Sequence, residues 1–190
     1  GLKINQISDF PEKGYSKIKI LQSNNKKSYI YFRIPSWDKN IQIFINGKKI
    51  KYKIYNGYAK INNFWKKGDE IELFFNFEPR LIRANPNVRY NVRKACLFRG
   101  PVLYCLEEKD NGKNLNKIMI DSSNPITEKN ININFHKIVS LSTKGYVYKD
   151  TKKLYLNEKP KFLKKNIKFI PYYKWSNRGE NEMLVWINEK

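Results

Sequence analysis

The chain is dominated by short stretches in which apolar and polar residues alternate, the period-two signature of strands with one face buried. Ile18 and Ile20 share a face within 17–21, and residues 28–34 read Ser-Tyr-Ile-Tyr-Phe-Arg-Ile before stopping at Pro35. Ile41, Ile43 and Ile45 alternate into Asn46-Gly47, a strong hairpin signal. A return strand is expected over 50–54, a second turn at Asn56-Gly57, a strand over 58–61 and a turn at Lys67-Gly68-Asp69. Over 70–77, Ile71, Leu73, Phe75 and Phe77 oppose Glu70, Glu72 and Asn76. In the second half, 95–107 predicts a strand bent at Gly100-Pro101, followed by a loop at Asp110-Asn111-Gly112. Residues 131–142 alternate and then shift register, and 161–172 and 183–187 predict strands around a loop at Asn177-Arg178-Gly179. No segment carries a capped helical period. With turns about every 8–12 residues, the pattern predicts an all-β fold. It would consist of two consecutive, mostly antiparallel β-sandwich modules, jelly-roll or immunoglobulin-like, spanning 1–108 and 109–190.

Composition supports a packed core, since 41% of the 190 residues are hydrophobic and 15% aromatic. No apolar run is long enough for a membrane-spanning helix, so no membrane partner is expected. Charge is the conspicuous feature: 38 Lys and Arg against 17 Asp and Glu give +21 at pH 7, which first suggests nucleic acid. Yet 31 of those 38 are Lys, and Lys, Asn and Ile together supply 78 of 190 residues. All three have AT-rich codons. The Lys pairs at 26–27, 48–49, 66–67, 152–153 and 164–165 are scattered between apolar segments, without the single stripe a nucleic-acid binder needs. A solvated, compositionally driven charge is therefore the better reading, and a basic nucleic-acid-binding domain is kept only as an alternative.

Candidate chemistry is sparse. Two cysteines cannot form a disulfide framework or a four-cysteine zinc site. Cys96 and Cys105 lack a neighbouring base and read as small buried hydrophobes, and the single histidine, His136, as a half-buried strand residue. Glu107 with Asp110, or Glu180 with Glu182, could supply a glycosidase carboxylate pair, but surface carboxylates near turns are the simpler reading. Five of the seven arginines, Arg80, Arg83, Arg89, Arg93 and Arg99, fall within twenty positions and suit either an interdomain interface or a solvent-facing row. Tyr172, Tyr173 and Trp175, near Asn177 and Arg178, could stack on sugar rings as in a carbohydrate-binding module, or pack against another domain.

Several of these segments occur in an order with wider meaning. Arg-Ile-Pro-Ser-Trp (33–37), Ile-Asn-Gly (45–47), Gly-Tyr (57–58), Trp65 with Gly68-Asp69, Phe-Arg-Gly-Pro-Val-Leu-Tyr-Cys-Leu-Glu (98–107), Ile-Pro-Tyr-Tyr-Lys-Trp-Ser-Asn-Arg-Gly (170–179) and Met-Leu-Val-Trp-Ile (183–187) together resemble the C-terminal part of glycoside hydrolase family 127. The founding activity of that family is β-L-arabinofuranosidase. The resemblance runs from about residue 14 to 187 and is loose over 110–165.

It implies a parent enzyme in which an (α/α)₆ catalytic barrel precedes two β-sandwich domains, with a zinc-bound cysteine thiolate as nucleophile and a glutamate as acid/base. No position here matches that zinc and nucleophile motif. The expectation is thus a non-catalytic region with no cofactor of its own, zinc belonging to the catalytic domain. Its expected partner is the barrel of the same polypeptide, with a second copy of the chain or a carbohydrate as further options. Arg80, Arg83, Arg99, Glu107, Tyr172, Tyr173, Trp175, Asn177 and Arg178 are the expected interdomain or carbohydrate contacts. The chain opens at Gly1 in an already strand-like segment and reads as part of a longer polypeptide. The cysteines assign no compartment, and a cytoplasmic one is favoured.

Overall fold

The computed structural model describes residues 1–38 and 40–190, and these divide into two compact units, Gly1–Glu78 and Pro79–Lys190. The all-β class and the dominance of antiparallel pairing both hold. The division falls between Glu78 and Pro79, well before the expected 108. The strands just after it pair into the second unit, so the segment 79–107 cannot belong to the first.

The first unit contains β1 (Lys3–Ser8), β2 (Tyr15–Gln22), β3 (Lys27–Arg33), β4 (Gln42–Ile45), β5 (Lys48–Lys49), β6 (Ile54–Tyr55), β7 (Tyr58–Phe64) and β8 (Glu70–Phe74). One sheet has the order β1-β2-β8-β4-β5 and the other β3-β7-β6. Alternation sends Ile18, Ile20, Ile43, Ile71 and Leu73 from the first sheet and Phe32, Ala59 and Ile61 from the second into one core. Trp65 is fully buried there and donates its indole N–H to Ser28 O at 3.1 Å. Both Asn-Gly turns form as the sequence predicts, with positive φ at Asn46, Gly47, Asn56 and Gly57. Of the return strand expected over 50–54 only Ile54 lies in a strand, β6, with β5 just before the expected range. Between them Tyr52 leaves the ladder and donates its hydroxyl to Ile41 O at 2.6 Å.

The second unit contains β9 (Pro79–Arg83), β10 (Lys94–Arg99), β11 (Val102–Glu107), the single helical turn α1 (Glu108–Asn111), β12 (Ile118–Ile120), β13 (Thr127–Ile133), β14 (His136–Tyr148), β15 (Phe162–Pro171), β16 (Met183–Leu184) and β17 (Ile187–Glu189). The pairings run β10-β11-β15-β14-β12-β17 and return to β10, so the strands close a circuit, with β12–β17 the parallel pair. The expected bend at Gly100-Pro101 is a tight hairpin with Arg99 opposite Val102. The register shift expected within 131–142 is a two-residue turn, Asn134 and Phe135 both at positive φ, joining β13 to β14. Phe135 is fully solvent-exposed, and an aromatic residue there hides the turn from sequence inspection.

Leu97, Leu106, Leu115, Ile118, Leu141, Ile167 and Phe169 form the main core of this unit. Gly145 of β14 is required by close packing: a Cβ there would lie 2.4 Å from both the Ile167 side chain and the Met119 carbonyl oxygen. Trp65→Ala should lower the unfolding free energy by about 3–5 kcal/mol. Gly145→Ala should lower it by about 1–3 kcal/mol through overpacking. Urea titrations followed by far-UV circular dichroism check both.

Candidate functional site

β11 delivers its last residue, Glu107, into a position with no solvent exposure. A carboxylate removed from water requires donors and an opposite charge. Both come from the loop after β15. Glu107 Oε1 accepts the Ser176 backbone N–H at 3.0 Å and lies 3.4 Å from Asn181 Nδ2. Glu107 Oε2 accepts Arg178 Nε–H at 3.0 Å and also pairs with Arg178 Nη2. The same guanidinium reaches Asp110 of α1, whose other oxygen accepts from Lys168 Nζ at 2.7 Å. Two acids and two bases thus form a neutral quartet.

The surrounding backbone is tied to this quartet. Asn111 donates its amide to the carbonyls of Glu107 and Lys168, at 3.1 and 2.8 Å, and accepts from the Lys168 N–H at 3.0 Å. Its side chain therefore stands in for a strand partner. Glu182 accepts from the Leu115 N–H at 3.0 Å, while Glu108 and Glu182 exchange bonds through their backbone and the Glu108 carboxylate. Ser176 sits at φ 64, an unfavourable conformation for a residue with a side chain, held by the bond from its N–H to Glu107.

The loop clamped in this way carries the aromatic group. Tyr172, Tyr173 and Trp175 are 41%, 46% and 41% exposed. The Tyr172 and Trp175 rings stack at 6.1 Å between centroids, 27° apart. Asn177 closes the loop, its amide 3.4 Å from Tyr173 O and its carbonyl accepting from Asn134.

Several expectations change here. Glu107 is a buried anchor and not a surface carboxylate. Glu180 is exposed and Glu182 braces the backbone, so neither pair is arranged as a catalytic couple. His136 is exposed at the start of β14 and not half-buried, because the hairpin turn places it at a strand end. Of the arginine group, Arg80 and Arg83 lie on β9 and Arg99 on β10, while Arg89 and Arg93 fall between the two strands. Arg80 donates to Gly100 O at 2.7 Å with its guanidinium 5.3 Å from the Phe98 ring centroid, Arg83 forks onto Glu189, and Arg99 Nε lies 3.0 Å from Glu128. The roles of Asp110, Asn111, Lys168 and Ser176 were not read from the sequence. The available signal was Asp-Asn-Gly two residues after a buried strand, which closes a helical turn with Gly112 at positive φ.

Electrostatics favour a clamp over a reactive centre. Burial alone would raise the Asp110 pKa, but hydrogen bonds and charge from Arg178 and Lys168 outweigh it and hold the carboxyl below its ordinary value. Hydrogen bonding to Asp110 and Glu107 raises that of Arg178. Burial, reinforced by the Glu107 charge, pushes the Cys105 thiol up to about 12, and burial also raises that of Cys96. Neither thiol is activated. Among the described residues no three His, Cys, Asp or Glu side chains gather in a group that could hold a metal. Nor is any described helix long and apolar enough to cross a membrane.

Comparison with known proteins now decides the family. Residues 1–77 match the β-L-arabinofuranosidase middle domain of glycoside hydrolase family 127, and residues 79–188 match that family's C-terminal domain. The chain belongs to glycoside hydrolase family 127. The boundary between the two family 127 domains coincides with the division of the structure at 78/79. A non-reducing end β-L-arabinofuranosidase from Bifidobacterium longum is 28% identical over 98% of this chain, which covers 30% of that protein. A family 127 β-L-arabinofuranosidase structure from Geobacillus stearothermophilus superposes with a TM-score of 0.94 at 34% identity, over 100% of this chain and 31% of that one. A further family 127 β-arabinofuranosidase structure gives 0.88 at 27% identity, covering 100% and 32%. The chain thus spans about a third of the length of these relatives.

Removing the anchor should loosen the clamp. Glu107→Ala leaves the Ser176 N–H without its acceptor and Arg178 with Asp110 alone, and should cost about 3–5 kcal/mol of stability, with Glu107→Gln intermediate; urea unfolding measures both. Because the Asp110 pKa is depressed on folding, its contribution is fully present above the unfolded value of about 3.9 and is lost as pH falls through the folded value. Stability measured from pH 7 down to the acid limb should therefore fall less steeply for Asp110→Asn than for the unmodified chain.

Proposed function

We propose that this chain is the non-catalytic, supporting region of a retaining glycoside hydrolase acting on L-arabinofuranosides, and that it braces a catalytic barrel of the same polypeptide. The observation that carries this reading is the clamp itself. Its acids are neutralised by Arg178 and Lys168, leaving no carboxylate free for proton transfer, while its loop holds Tyr172, Tyr173 and Trp175 outward. Exposed aromatics on a strained, pinned loop are the kind of anchor residues that carry protein–protein docking.

The Tyr172 and Trp175 rings stack on one another, and we take the loop's partner to be a protein surface because aromatic anchors on a fixed frame carry protein docking. In this reading zinc and its thiolate ligand are supplied by the barrel, and Cys96 and Cys105 only fill space. A second copy of the chain is a further partner the same loop could engage.

The test has two parts. The purified chain should give no hydrolysis of a β-L-arabinofuranoside with or without added zinc, and turnover would overturn the reading. The part of the Geobacillus relative that lies outside the segment this chain matches, expressed separately, should associate with the chain in calorimetry, and Trp175→Ala should weaken that association about tenfold or more. Association indifferent to Trp175 would remove the docking role.

A further inference from the structure

The outer face of the β3-β7-β6 sheet carries a second group of exposed aromatic side chains. Alternation turns Lys27, Tyr29, Tyr31 and Arg33 of β3 outward, while Phe32 points into the core. Opposite them on β7 lie Phe64, Asn62, Lys60 and Tyr58, in that order, and Tyr55 of β6 pairs with Tyr58. Five aromatic side chains thus line one exposed face: Phe64 at 58% exposure, Tyr29 at 51%, Tyr31 at 53%, Tyr58 at 39% and Tyr55 at 71%. So contiguous a set is more than the scattered apolar residues of an ordinary surface.

Charge on this face has one sign. The three strands contain Lys27, Arg33 and Lys60 and no Asp or Glu. Lys60 Nζ sits 4.1 Å from the Tyr29 ring centroid and 5.7 Å from that of Tyr31, so the cation is held among the rings. Tyr29 and Tyr31 are tilted at 40° with centroids 6.2 Å apart, so neither ring covers the other's outer face. At the β3 edge the surface runs into a groove of about 540 Å³ whose lining includes Tyr31, Arg33, Trp37, Gln6 and Ser8.

We propose that this face binds an anionic polysaccharide, a linear chain of uronate-bearing sugar rings. The tyrosines supply flat surfaces for the C–H faces of successive rings, Lys27, Lys60 and Arg33 pair with the carboxylates, and Asn62 and the tyrosine hydroxyls bond to sugar hydroxyls. A single-stranded nucleic acid offers stacking and negative charge as well. The choice of a glycan rests on reading the chain as part of a carbohydrate-acting enzyme.

Affinity electrophoresis of the full chain in gels containing polygalacturonate, neutral linear arabinan or a single-stranded DNA oligomer tests the proposal. Polygalacturonate should retard the chain most. Tyr29→Ala with Tyr31→Ala should weaken that binding about tenfold or more, with an unchanged circular dichroism spectrum, as expected for exposed positions. Lys60→Gln should weaken it less and flatten its salt dependence, while Lys152→Gln with Lys153→Gln should leave it unchanged. The proposal is overturned if polygalacturonate does not bind, if arabinan or DNA binds as tightly, or if the Lys152-Lys153 pair of the second unit matters as much as the tyrosines. None of these readouts uses turnover or barrel association, so failure here and failure of the bracing role are separately visible.

Discussion

A carboxylate with no exposed surface at the end of β11 sets the terms for the second unit. Arg178, the Ser176 N–H and Asn181 converge on Glu107, and all three belong to one loop. That loop must therefore return to the same place in every molecule, with Ser176 kept at positive φ and the aromatics projecting from a fixed frame. Pairs of this kind add little net stability over an apolar replacement, but breaking one partner is expensive. Their effect is to make the alternative positions of the loop costly, which is what a presenting surface requires.

The first unit reaches the same end by a different route. Its exposed aromatics stand on a regular sheet, where the period-two alternation that buries Phe32, Ala59 and Ile61 turns Tyr29, Tyr31, Lys60 and Tyr58 outward. No ion-pair network is needed, because ladder register alone decides which side chain faces solvent. Individual outward residues there are replaceable without disturbing the frame. In the clamped loop, by contrast, side-chain identity and backbone position are inseparable.

How far the sequence could be read follows from the same distinction. The Asn-Gly turns and most strands with regular alternation were legible, with strand ends off by up to about three residues and the 50–54 strand largely absent, since both signals are local. The Asn134-Phe135 turn was not, because an aromatic in the left-handed region looks like strand continuation. The boundary at 78/79 was hidden for a non-local reason: only the pairing of β9 with β10 and of β11 with β15 assigns 79–107 to the second unit. At the site, Glu107 and Arg178 were singled out as separate candidates 71 residues apart, but their pairing depends on where β11 and β15 meet. Asn111 and Ser176 act through backbone bonds that no side-chain pattern announces.

Net charge is the property most easily over-read. A total of +21 invites a polyanion anywhere on the surface, yet many of the bases are consumed locally: Arg80 on Gly100, Arg83 on Glu189, Lys168 and Arg178 in the quartet. Lysines in turns add long-range attraction that salt screens within about 10 Å. What distinguishes one basic surface from another is therefore the presence of ring faces among the cations and the absence of carboxylates, and not the number of charges. By that criterion the β3-β7-β6 face differs in kind from the scattered lysine pairs. The arginines of β9 and β10, conspicuous in the sequence, already have local partners, and this is the physical reason their clustering says less than it first suggests.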